Sequence, residues 1–206
     1  MLTLQKLAPN LPLIVLSGNE SEALALRAVQ AGAQDYLVKG DSDGSAMRRA
    51  IRYAMERKRV EQHLVRMAHY DQLTGLANRK VLEDRLRRVL ESAQSEDSRH
   101  ALAIIDIDQF RIINDTCGHA AGDELLRQIA RILLTVIRKR DTLARIGGDE
   151  FALIVEHCTV EEATVVANKL LETTRNFRYI CNGQVFRVGG RSVWPMRGWV
   201  SATRIK

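Results

Sequence analysis

The sequence is poor in cysteine. Its 206 residues include three cysteines, Cys117, Cys158 and Cys181, which are odd in number, widely spaced and without a CxxC pair. This pattern suggests neither a disulfide framework nor a zinc site. Because free cysteines persist in a reducing compartment, we expect a cytoplasmic location.

Long apolar runs are also missing. No run approaches the roughly 18 residues that a membrane-spanning helix needs, and the opening MLTLQKLAPN lacks the basic and apolar regions of an export signal. We therefore expect no membrane partner for this chain. With 46% hydrophobic residues, the chain can nevertheless form the core of one full domain and part of another.

Aromatic residues make up only 5% of a chain whose formal net charge is +6. The basic residues concentrate between Arg48 and Arg66, in a segment patterned as one helix. With few aromatics nearby and no recognisable DNA-binding motif, this segment favours a solvated or partner-facing helix over a nucleic-acid surface. We expect no nucleic-acid partner, and the excess positive charge instead favours a polyanionic small ligand.

The first part of the chain has the pattern of a βαβ unit. Residues 11–40 contain a buried strand (LPLIVLS), an amphipathic helix (SEALALRAVQAG) and a second strand (AQDYLVK). This order predicts a right-handed crossover. One such unit cannot cover both faces of its strands, so we interpret residues 1–44 as part of a domain that further sequence or a partner completes.

Residues 45–68 have a helical pattern with two apolar stripes, formed by Met47, Ile51 and Ala54 and by Val60, Leu64 and Met67. The step from Ala54 to Val60 breaks a strict heptad. We interpret this segment as a connecting helix that pairs with its copy in a homodimer. A single amphipathic helix is the alternative.

Residues 69–206 alternate helical and strand patterns, which predicts an α/β fold with a mixed sheet. The turn-rich DQLTGLANR precedes the helix KVLEDRLRRVLESA, and ALAIIDI is typical of a central strand. We expect a loop over DQFRIINDTCGHAAG and a helix over DELLRQIARILLTVIRK. A hairpin of TLARI and FALIVE across GGDE follows, then a helix and the Asn-Gly turn of CNGQVFRV before a last strand.

Acidic side chains stand at the end of the central strand. Because side chains alternate along a strand, Asp106 and Asp108 should point to one side and Ile107 to the other. If the GGDE hairpin is a neighbour, Asp106, Asp149 and Glu150 converge at the sheet edge where ligand sites lie. Two like charges about 4 Å apart repel by roughly 4 kcal/mol at an effective dielectric of 20. The cluster therefore needs a proton or a cation, and hard oxygen ligands favour Mg²⁺ over zinc.

The glycines of GGDE have a role of their own. Gly147 and Gly148 can take positive φ in a two-residue turn, and without a Cβ they let backbone N–H groups approach a phosphate. A surface hairpin with solvated acids is the alternative, since acidic turns are common.

The segment from His69 to Gly190 resembles the GGDEF domain of bacterial diguanylate cyclases. GGDEF stands intact at Gly147–Phe151, after DQLTGLANR at Asp71–Arg79 and DIDQFRIINDTCGHAAGDELL at Asp106–Leu126, in the family's order. The resemblance implies a nucleotide-cyclase-like fold. It also implies a homodimer in which each domain holds one GTP and the two are condensed to cyclic di-GMP and two pyrophosphates.

The resemblance assigns a metal site at the acidic turn. Asp106, Asp149 and the Ile107 carbonyl would hold Mg²⁺ or Mn²⁺, which neutralises phosphate charge. Glu150 would assist the metal site or the deprotonation of the 3′-hydroxyl.

The same resemblance assigns residues to the substrate. Gly147 and Gly148 would contact the phosphates, and Asn114 and Asp123 would read guanine, which suits the chemistry of an amide and a carboxylate. Asp123 has an alternative role as a favourable charge in the first turn of its helix.

Arg138 and Asp141 form an RxxD pattern upstream of Gly147, where the family has its product-inhibition site. The resemblance implies that Arg138 binds the guanine of cyclic di-GMP through O6 and N7, a bidentate geometry. Positive charge at a helix C-terminus is the alternative.

The first 68 residues resemble the second half of a response-regulator receiver domain. Ser17 stands where that family has its switch hydroxyl, and Lys39 where it has its phosphate-binding lysine. This resemblance implies two-component-type signalling. The acidic pair and phosphoacceptor aspartate belong to strands that would precede Met1, so we expect that this chain is not phosphorylated in the receiver manner.

The tail departs from the GGDEF pattern. After FRVGG the family continues with a strand and a last helix that grips the triphosphate, whereas this chain reads RSVWPMRGWVSATRIK, which indicates a change of reading frame near Gly190. Losing a central strand predicts poor stability and weak or no cyclase activity. The alternative function is a non-catalytic module that binds GTP or cyclic di-GMP, such as the GGDEF half of a tandem cyclase/phosphodiesterase protein.

Overall fold

The computed structural model of the chain describes residues 7–8, 10–19, 21–40, 44–95, 98–187 and 190–191. The chain divides into two compact units, residues 1–67 and 68–206. Each unit has a sheet of its own.

The first unit contains the predicted βαβ arrangement. Strands β1 (Ile14–Ser17) and β2 (Asp35–Val38) pair in parallel, with Ile14 opposite Asp35, and helix α1 (Glu22–Gln30) connects them. The Gln34 side chain accepts a hydrogen bond from the Leu13 amide at 2.6 Å. This bond ties the two strands together just before their pairing begins.

Helix α2 runs from Gly44 to His69, which confirms the predicted helix. Of its described residues, only Ala50 and Ala54 are buried. Five of the six residues in the two predicted stripes are exposed, and these are Met47, Ile51, Val60, Leu64 and Met67. Pairing of this helix with a second copy stays a prediction. None of the described helices is long and apolar enough to cross a membrane.

The second unit is built on a four-stranded sheet in the order β4-β5-β3-β8. The strands are β3 (Ala101–Ile107), β4 (Thr142–Gly147), β5 (Glu150–Val155) and β8 (Gly190–Arg191). The strand pairs are antiparallel, and an isolated parallel bridge between Ala77 and Ala144 makes the sheet mixed. The α/β fold class is therefore confirmed.

Helices cover both faces of this sheet because its central strands are apolar on both sides. One face carries Ile105, Ile107, Phe151 and Leu153 and packs against helices α5 (His119–Leu134) and α6 (Val160–Asn176). The opposite face carries Leu102, Ala152 and Ile154 and packs against Leu82 and Val89 of helix α3 (Arg79–Ser95). Burial on both faces explains why β3 and β5 read as continuous apolar runs.

The prediction of a loop over DQFRIINDTCGHAAG is wrong. These residues form helix α4 (Phe110–Cys117) and the first turn of α5, separated by Gly118 at φ 85° and ψ 160°. The Asn, Asp, Thr and Gly content suggested a loop, but burial of Ile113 in the core stabilises a helix. Helix α5 also ends earlier than predicted, at Leu134, where the Thr135 hydroxyl donates to the Ile132 carbonyl at 2.7 Å.

The predicted Asn-Gly turn is confirmed. Asn182 and Gly183 have φ of 50° and 74°, and they join β6 (Arg178–Cys181) to β7 (Gln184–Arg187) in a separate hairpin. Strand β8 then pairs with β3, with Arg191 opposite Asp106 and Gly190 opposite Ile107. The tail after Arg191, where we predicted a departure from the family pattern, lies outside the described residues.

Candidate functional site

The GGDE segment forms a two-residue hairpin turn. Gly147 ends β4 opposite Glu150, which begins β5, so that Gly148 and Asp149 make the turn. Gly148 has the predicted positive φ, 43°. The same prediction for Gly147 is wrong, because this residue still belongs to the strand. A Cβ built on either glycine would meet no atom within 4 Å, so the surface above the turn is open.

Asp106 and Asp149 lie side by side at this turn. Asp106 is opposite Glu150 across the pairing of β3 with β5. Burial raises the pKa of Asp149, and the adjacent Asp106 carboxyl adds to the rise, while a backbone hydrogen bond and the charge of Arg145 oppose it. Two neighbouring carboxylates at an open glycine turn offer hard oxygen ligands to a divalent cation. The residues present therefore fit Mg²⁺.

The third predicted acid, Glu150, does not complete a cluster. It is exposed, and its charge acts on Arg79, whose pKa is raised first by the hydrogen bond and charge of Glu83 and less by Glu150. In the described part of the chain, no group of three His, Cys, Asp or Glu side chains is placed to hold a metal. A complete metal shell on this chain therefore needs backbone oxygen, water or ligand oxygen as well.

At the end of β3, the predicted alternation of side chains holds for Asp106 and Ile107 but not for Asp108. Ile107 points away from Asp106 as expected, and its side chain is only 2% exposed in the main core. The strand stops at Ile107, and Asp108 lies in a turn. Gln109 follows with φ 65°, a left-handed conformation that turns the chain into α4.

Arg145 anchors the turn to the segment before α3. Its Nε and Nη2 donate to the Gly148 carbonyl at 2.9 and 2.6 Å, and its Nη1 forms an ion pair with Asp71 at 3.2 Å. Asp71 also accepts from the amide and hydroxyl of Thr74. Sequence reasoning quoted both partners inside motifs but gave neither a role, since no local pattern shows that they meet.

We expect that replacing Arg145 by lysine lowers the free energy of unfolding by about 1–3 kcal/mol. Arg145 and Asp71 are only 15% and 21% exposed, and a lysine has no fork to reach both Asp71 and the turn carbonyl. Asp71→Asn should have a similar cost, and the double variant should cost less than the sum. Urea unfolding followed by circular dichroism measures all three, and additive costs would contradict the anchor.

This anchor should also be pH-dependent. Burial alone would raise the pKa of Asp71, but hydrogen bonds from Thr74 and the charge of Arg145 outweigh it, and the pKa is lowered from 3.8. A lowered pKa in the folded chain means that the stabilisation is present above 3.8 and is lost as the pH falls through the folded value. The stability difference between the natural chain and Asp71→Asn should therefore shrink over that range.

Asn114 and Gly122 meet where α4 packs against α5. The Oδ1 atom of Asn114 is buried and has no hydrogen-bond partner among the described residues. A Cβ on Gly122 would lie 1.9 Å from that oxygen and 3.2 Å from the Phe110 ring. A buried acceptor without a partner is costly in a folded protein, which marks Asn114 as a position for a ligand donor. Sequence reasoning named Asn114 and missed Gly122.

Asp123 follows Gly122 and is exposed. Because α5 begins at His119, Asp123 is not in the first turn of the helix, and no acidic residue is. The alternative role for Asp123 as a favourable charge in the first turn is therefore wrong. Asp123 thus stands next in the chain to Gly122, the residue against which Asn114 packs.

The RxxD segment forms a turn after α5. Asp141 is buried, and its two carboxylate oxygens accept from the amides of Arg138, at 3.0 Å, and Glu156, at 3.3 Å. The Arg138 guanidinium is half-exposed and pairs with Glu162 at 3.3 Å. Helix α5 ends at Leu134, so the arginine lies beyond the helix rather than in its last turn.

In the first unit, Ser17 and Lys39 lie at one end of the parallel strands. Ser17 ends β1, and its carbonyl accepts from the Lys39 amide at 2.7 Å. The Ser17 hydroxyl also accepts from the Asn19 amide at 3.2 Å. A backbone hydrogen bond therefore links the two predicted receiver residues.

Comparison with known proteins identifies the relatives of this chain. The family model described as "Diguanylate cyclase, GGDEF domain" matches residues 68–186. Over 150 residues, 73% of the chain, the sequence is 41% identical to the "Probable diguanylate cyclase DgcE" of Escherichia coli. It is 40% identical over 114 residues, 55% of the chain, to the "Bifunctional diguanylate cyclase/cyclic di-GMP phosphodiesterase MucR" of Pseudomonas aeruginosa. The matches span 13% and 17% of these two relatives.

A solved structure agrees with the fold. The coiled coil and GGDEF domain of DgcB from Caulobacter crescentus, in complex with c-di-GMP, matches with a TM-score of 0.60 and 28% identity. The match covers 72% of this chain and 81% of the other.

Proposed function

Because the chain belongs to the GGDEF domain family of diguanylate cyclases, we propose that its second unit binds GTP with Mg²⁺. In a homodimer it would condense two GTP molecules to cyclic di-GMP and two pyrophosphates. The observation that carries this proposal is the approach of Asp106 to Asp149 at an open glycine turn. We assign residues 69–206 to this domain, residues 45–68 to a connecting helix and residues 1–44 to a partial receiver domain.

The acidic turn would position the reacting groups. Asp106, Asp149 and the Ile107 carbonyl would hold the metal, which lowers the negative charge on the phosphates. Gly147 and Gly148 leave room for phosphate oxygens beside backbone N–H groups. Glu150 is exposed at the head of β5 and would accept the proton of the attacking 3′-hydroxyl.

Guanine would lie against α4 and α5. The unpartnered Oδ1 of Asn114 would accept from the exocyclic amine of the base, and the Asp123 carboxylate would accept from N1–H. An adenine base offers neither donor at these places, so the pair would favour GTP over ATP.

A second function is favoured by the 40% identity, over 55% of the chain, to a bifunctional diguanylate cyclase/cyclic di-GMP phosphodiesterase. The chain would then be a regulatory module that binds GTP or cyclic di-GMP, as one half of a tandem cyclase/phosphodiesterase protein would.

One experiment tests both functions. The full chain is titrated with GTP by calorimetry, with and without Mg²⁺, and a parallel sample is incubated with GTP and Mg²⁺ for chromatography of cyclic di-GMP. We expect Mg²⁺-dependent binding and little product. Product at normal rates would contradict the impaired activity. Absence of GTP binding would contradict the cyclase and would leave cyclic di-GMP as the only ligand of a regulatory module.

Helix α2 and the first unit also have roles in the proposed function. The exposed residues of the two apolar stripes on α2 form a suitable surface for the homodimer. A cytoplasmic location would give the chain access to GTP. Ser17 and Lys39 would couple the first unit to two-component signalling. Size-exclusion chromatography with light scattering tests the dimer, and Leu64→Glu should shift it toward monomer.

Arg138 and Asp141 would bind the product, cyclic di-GMP. Glu162 holds Arg138 in an ion pair and also caps α6. Glu162→Gln keeps a capping side chain but removes the charge, so it should release Arg138 and tighten cyclic di-GMP binding by roughly two- to fivefold, the value of an exposed ion pair. Arg138→Ala should weaken binding at least roughly tenfold. Calorimetry with cyclic di-GMP measures both, and Arg87→Ala, an exposed arginine on α3, is the control.

A further inference from the structure

Cys117 and Cys181 meet in the folded chain although they are far apart in the sequence. Cys117 is the last residue of α4, and Cys181 is the last residue of β6. Cys181 is the first of the groups that raise the pKa of Cys117, which places the two thiols beside each other, and both are partly buried against the main core. The sequence argument against a disulfide framework concerned spacing along the chain and did not foresee this contact.

Rigid elements hold the contact on both sides. Tyr179, two residues before Cys181, is buried and donates its hydroxyl hydrogen to the Ala121 carbonyl at 2.8 Å. After Cys181, the tight turn of Asn182 and Gly183 fixes the end of β6. The hairpin is thus bonded to the first turn of α5, directly after the helix that ends in Cys117. The two thiols therefore stay neighbours while the domain is folded.

We propose that Cys117 and Cys181 form an oxidation site at which a peroxide closes an intramolecular disulfide. One sulfur attacks the peroxide, the O–O bond breaks, and a sulfenic acid and one water form. The second thiol attacks the sulfenic sulfur, the S–S bond forms, and a second water leaves. The two sulfurs lose two electrons in total, and hydrogen peroxide is reduced to two waters.

The pH dependence of this reaction follows from the contact itself. The hydrogen bond with Cys181, and then burial, raise the pKa of the Cys117 thiol to about 11. Tyr179 is a further titratable group beside the pair, and the charge of Glu124 acts in turn on Tyr179. Because the thiolate is the reactive form, oxidation is slow at neutral pH and accelerates as the pH rises toward that pKa.

The disulfide would act on the nucleotide site, a consequence that rests on the proposed function. Closing the bond draws the two sulfurs to about 2.04 Å, which pulls the end of α4 toward the hairpin. Asn114 is one turn before Cys117, and its carbonyl accepts from the Gly118 amide at 2.9 Å. We therefore expect the oxidised chain to bind GTP several-fold more weakly than the reduced chain.

The experiment treats the full chain with hydrogen peroxide at pH 7 and pH 9 and maps the cysteines by mass spectrometry under non-reducing conditions. We expect one bond between Cys117 and Cys181, faster at pH 9, and a thermal midpoint raised by several degrees, because a closed loop constrains the unfolded chain. Dithiothreitol should reverse both changes.

Matched variants decide between this site and general oxidation. Cys158 is buried in the core and contacts the Val155 carbonyl at 3.6 Å, so Cys158→Ser should leave the disulfide unchanged. Cys117→Ser and Cys181→Ser should each abolish it. Three free thiols after treatment, a bond between two chains, or a sulfinic acid without a bond would overturn the site. Unchanged GTP affinity in a fully cross-linked sample would overturn only its effect on the nucleotide.

Discussion

Replacing Asp149 by asparagine is expected to abolish Mg²⁺-dependent GTP binding and, at the same time, to stabilise the metal-free chain. Asp149 stands beside Asp106, and the two carboxylates repel each other when no cation lies between them. We expect a loss of GTP affinity of at least roughly 100-fold, since a metal ligand is removed. The free energy of unfolding should rise by on the order of 1 kcal/mol, because Asp149 is only partly buried.

The stability gain has a defined pH dependence. The pKa of Asp149 is raised above 3.8, by burial first and by Asp106 in addition. The folded chain therefore binds this proton more readily than the unfolded chain, and the penalty of the carboxylate disappears as the pH falls through the raised value. The advantage of Asp149→Asn over the natural chain should shrink over that range.

Calorimetry and urea unfolding measure the two effects. Asp106→Asn should behave like Asp149→Asn, and Asp84→Asn is the matched control, since it removes one carboxylate from the exposed side of α3. The control should change neither GTP binding nor stability by much. A destabilised Asp149→Asn chain would contradict repulsion between the two carboxyls.

Gly122→Ala is expected to remove GTP affinity without unfolding the protein. The new methyl group would lie 1.9 Å from Oδ1 and 2.9 Å from Cγ of Asn114, so the amide must turn away. The amide is the end of a flexible side chain and can move at little cost to the fold. Alanine is also favoured over glycine inside a helix by roughly 1 kcal/mol. We expect a 10- to 100-fold weaker GTP affinity, about the value of one lost hydrogen bond to a buried partner, and an unchanged or raised thermal midpoint.

A double-mutant cycle makes this prediction specific. In an Asn114→Ala background the methyl group has no amide to displace, so adding Gly122→Ala should cost no further GTP affinity. Discrimination between GTP and ATP should fall in each single variant. An additional loss in the double variant would show that Gly122 acts by another route.

The sequence predicted the parts of this fold whose patterns are local. The runs ALAIIDI and FALIV are apolar on both sides, and the helices on both faces of the sheet bury them. The Asn-Gly turn is encoded by the two residues that tolerate positive φ. Such features need no knowledge of distant residues.

The segment between β3 and α5 could not be predicted in the same way. Its Asn, Asp, Thr and Gly residues favour turns, and α4 is stable because Ile113, with Phe110 and Cys117, packs in a core assembled from distant elements. The start of α5 was likewise set by Gly118, whose φ of 85° breaks the chain direction before His119. Propensity was outweighed by packing.

In the candidate site, too, local patterns predicted some of the residues, and only contacts between distant segments reveal the others. Strand alternation and the resemblance placed Asp106 and Asp149 at one edge, and the structure brings these carboxyls together. The anchor of Arg145 on Asp71 joins residues from two motifs that no periodicity connects. Gly122 was not recognised because a missing side chain leaves no pattern, and its role appears only when a methyl group is built against Asn114.

The two hydrogen bonds from Arg145 to the Gly148 carbonyl also bear on the thermodynamics of recognition. A turn already held in shape loses little conformational entropy when a nucleotide arrives, because its ordering is completed during folding. Binding at this edge should therefore be a single fast step without a preceding rearrangement of the hairpin. In Arg145→Lys the same step should carry a more unfavourable entropy, even where some affinity remains.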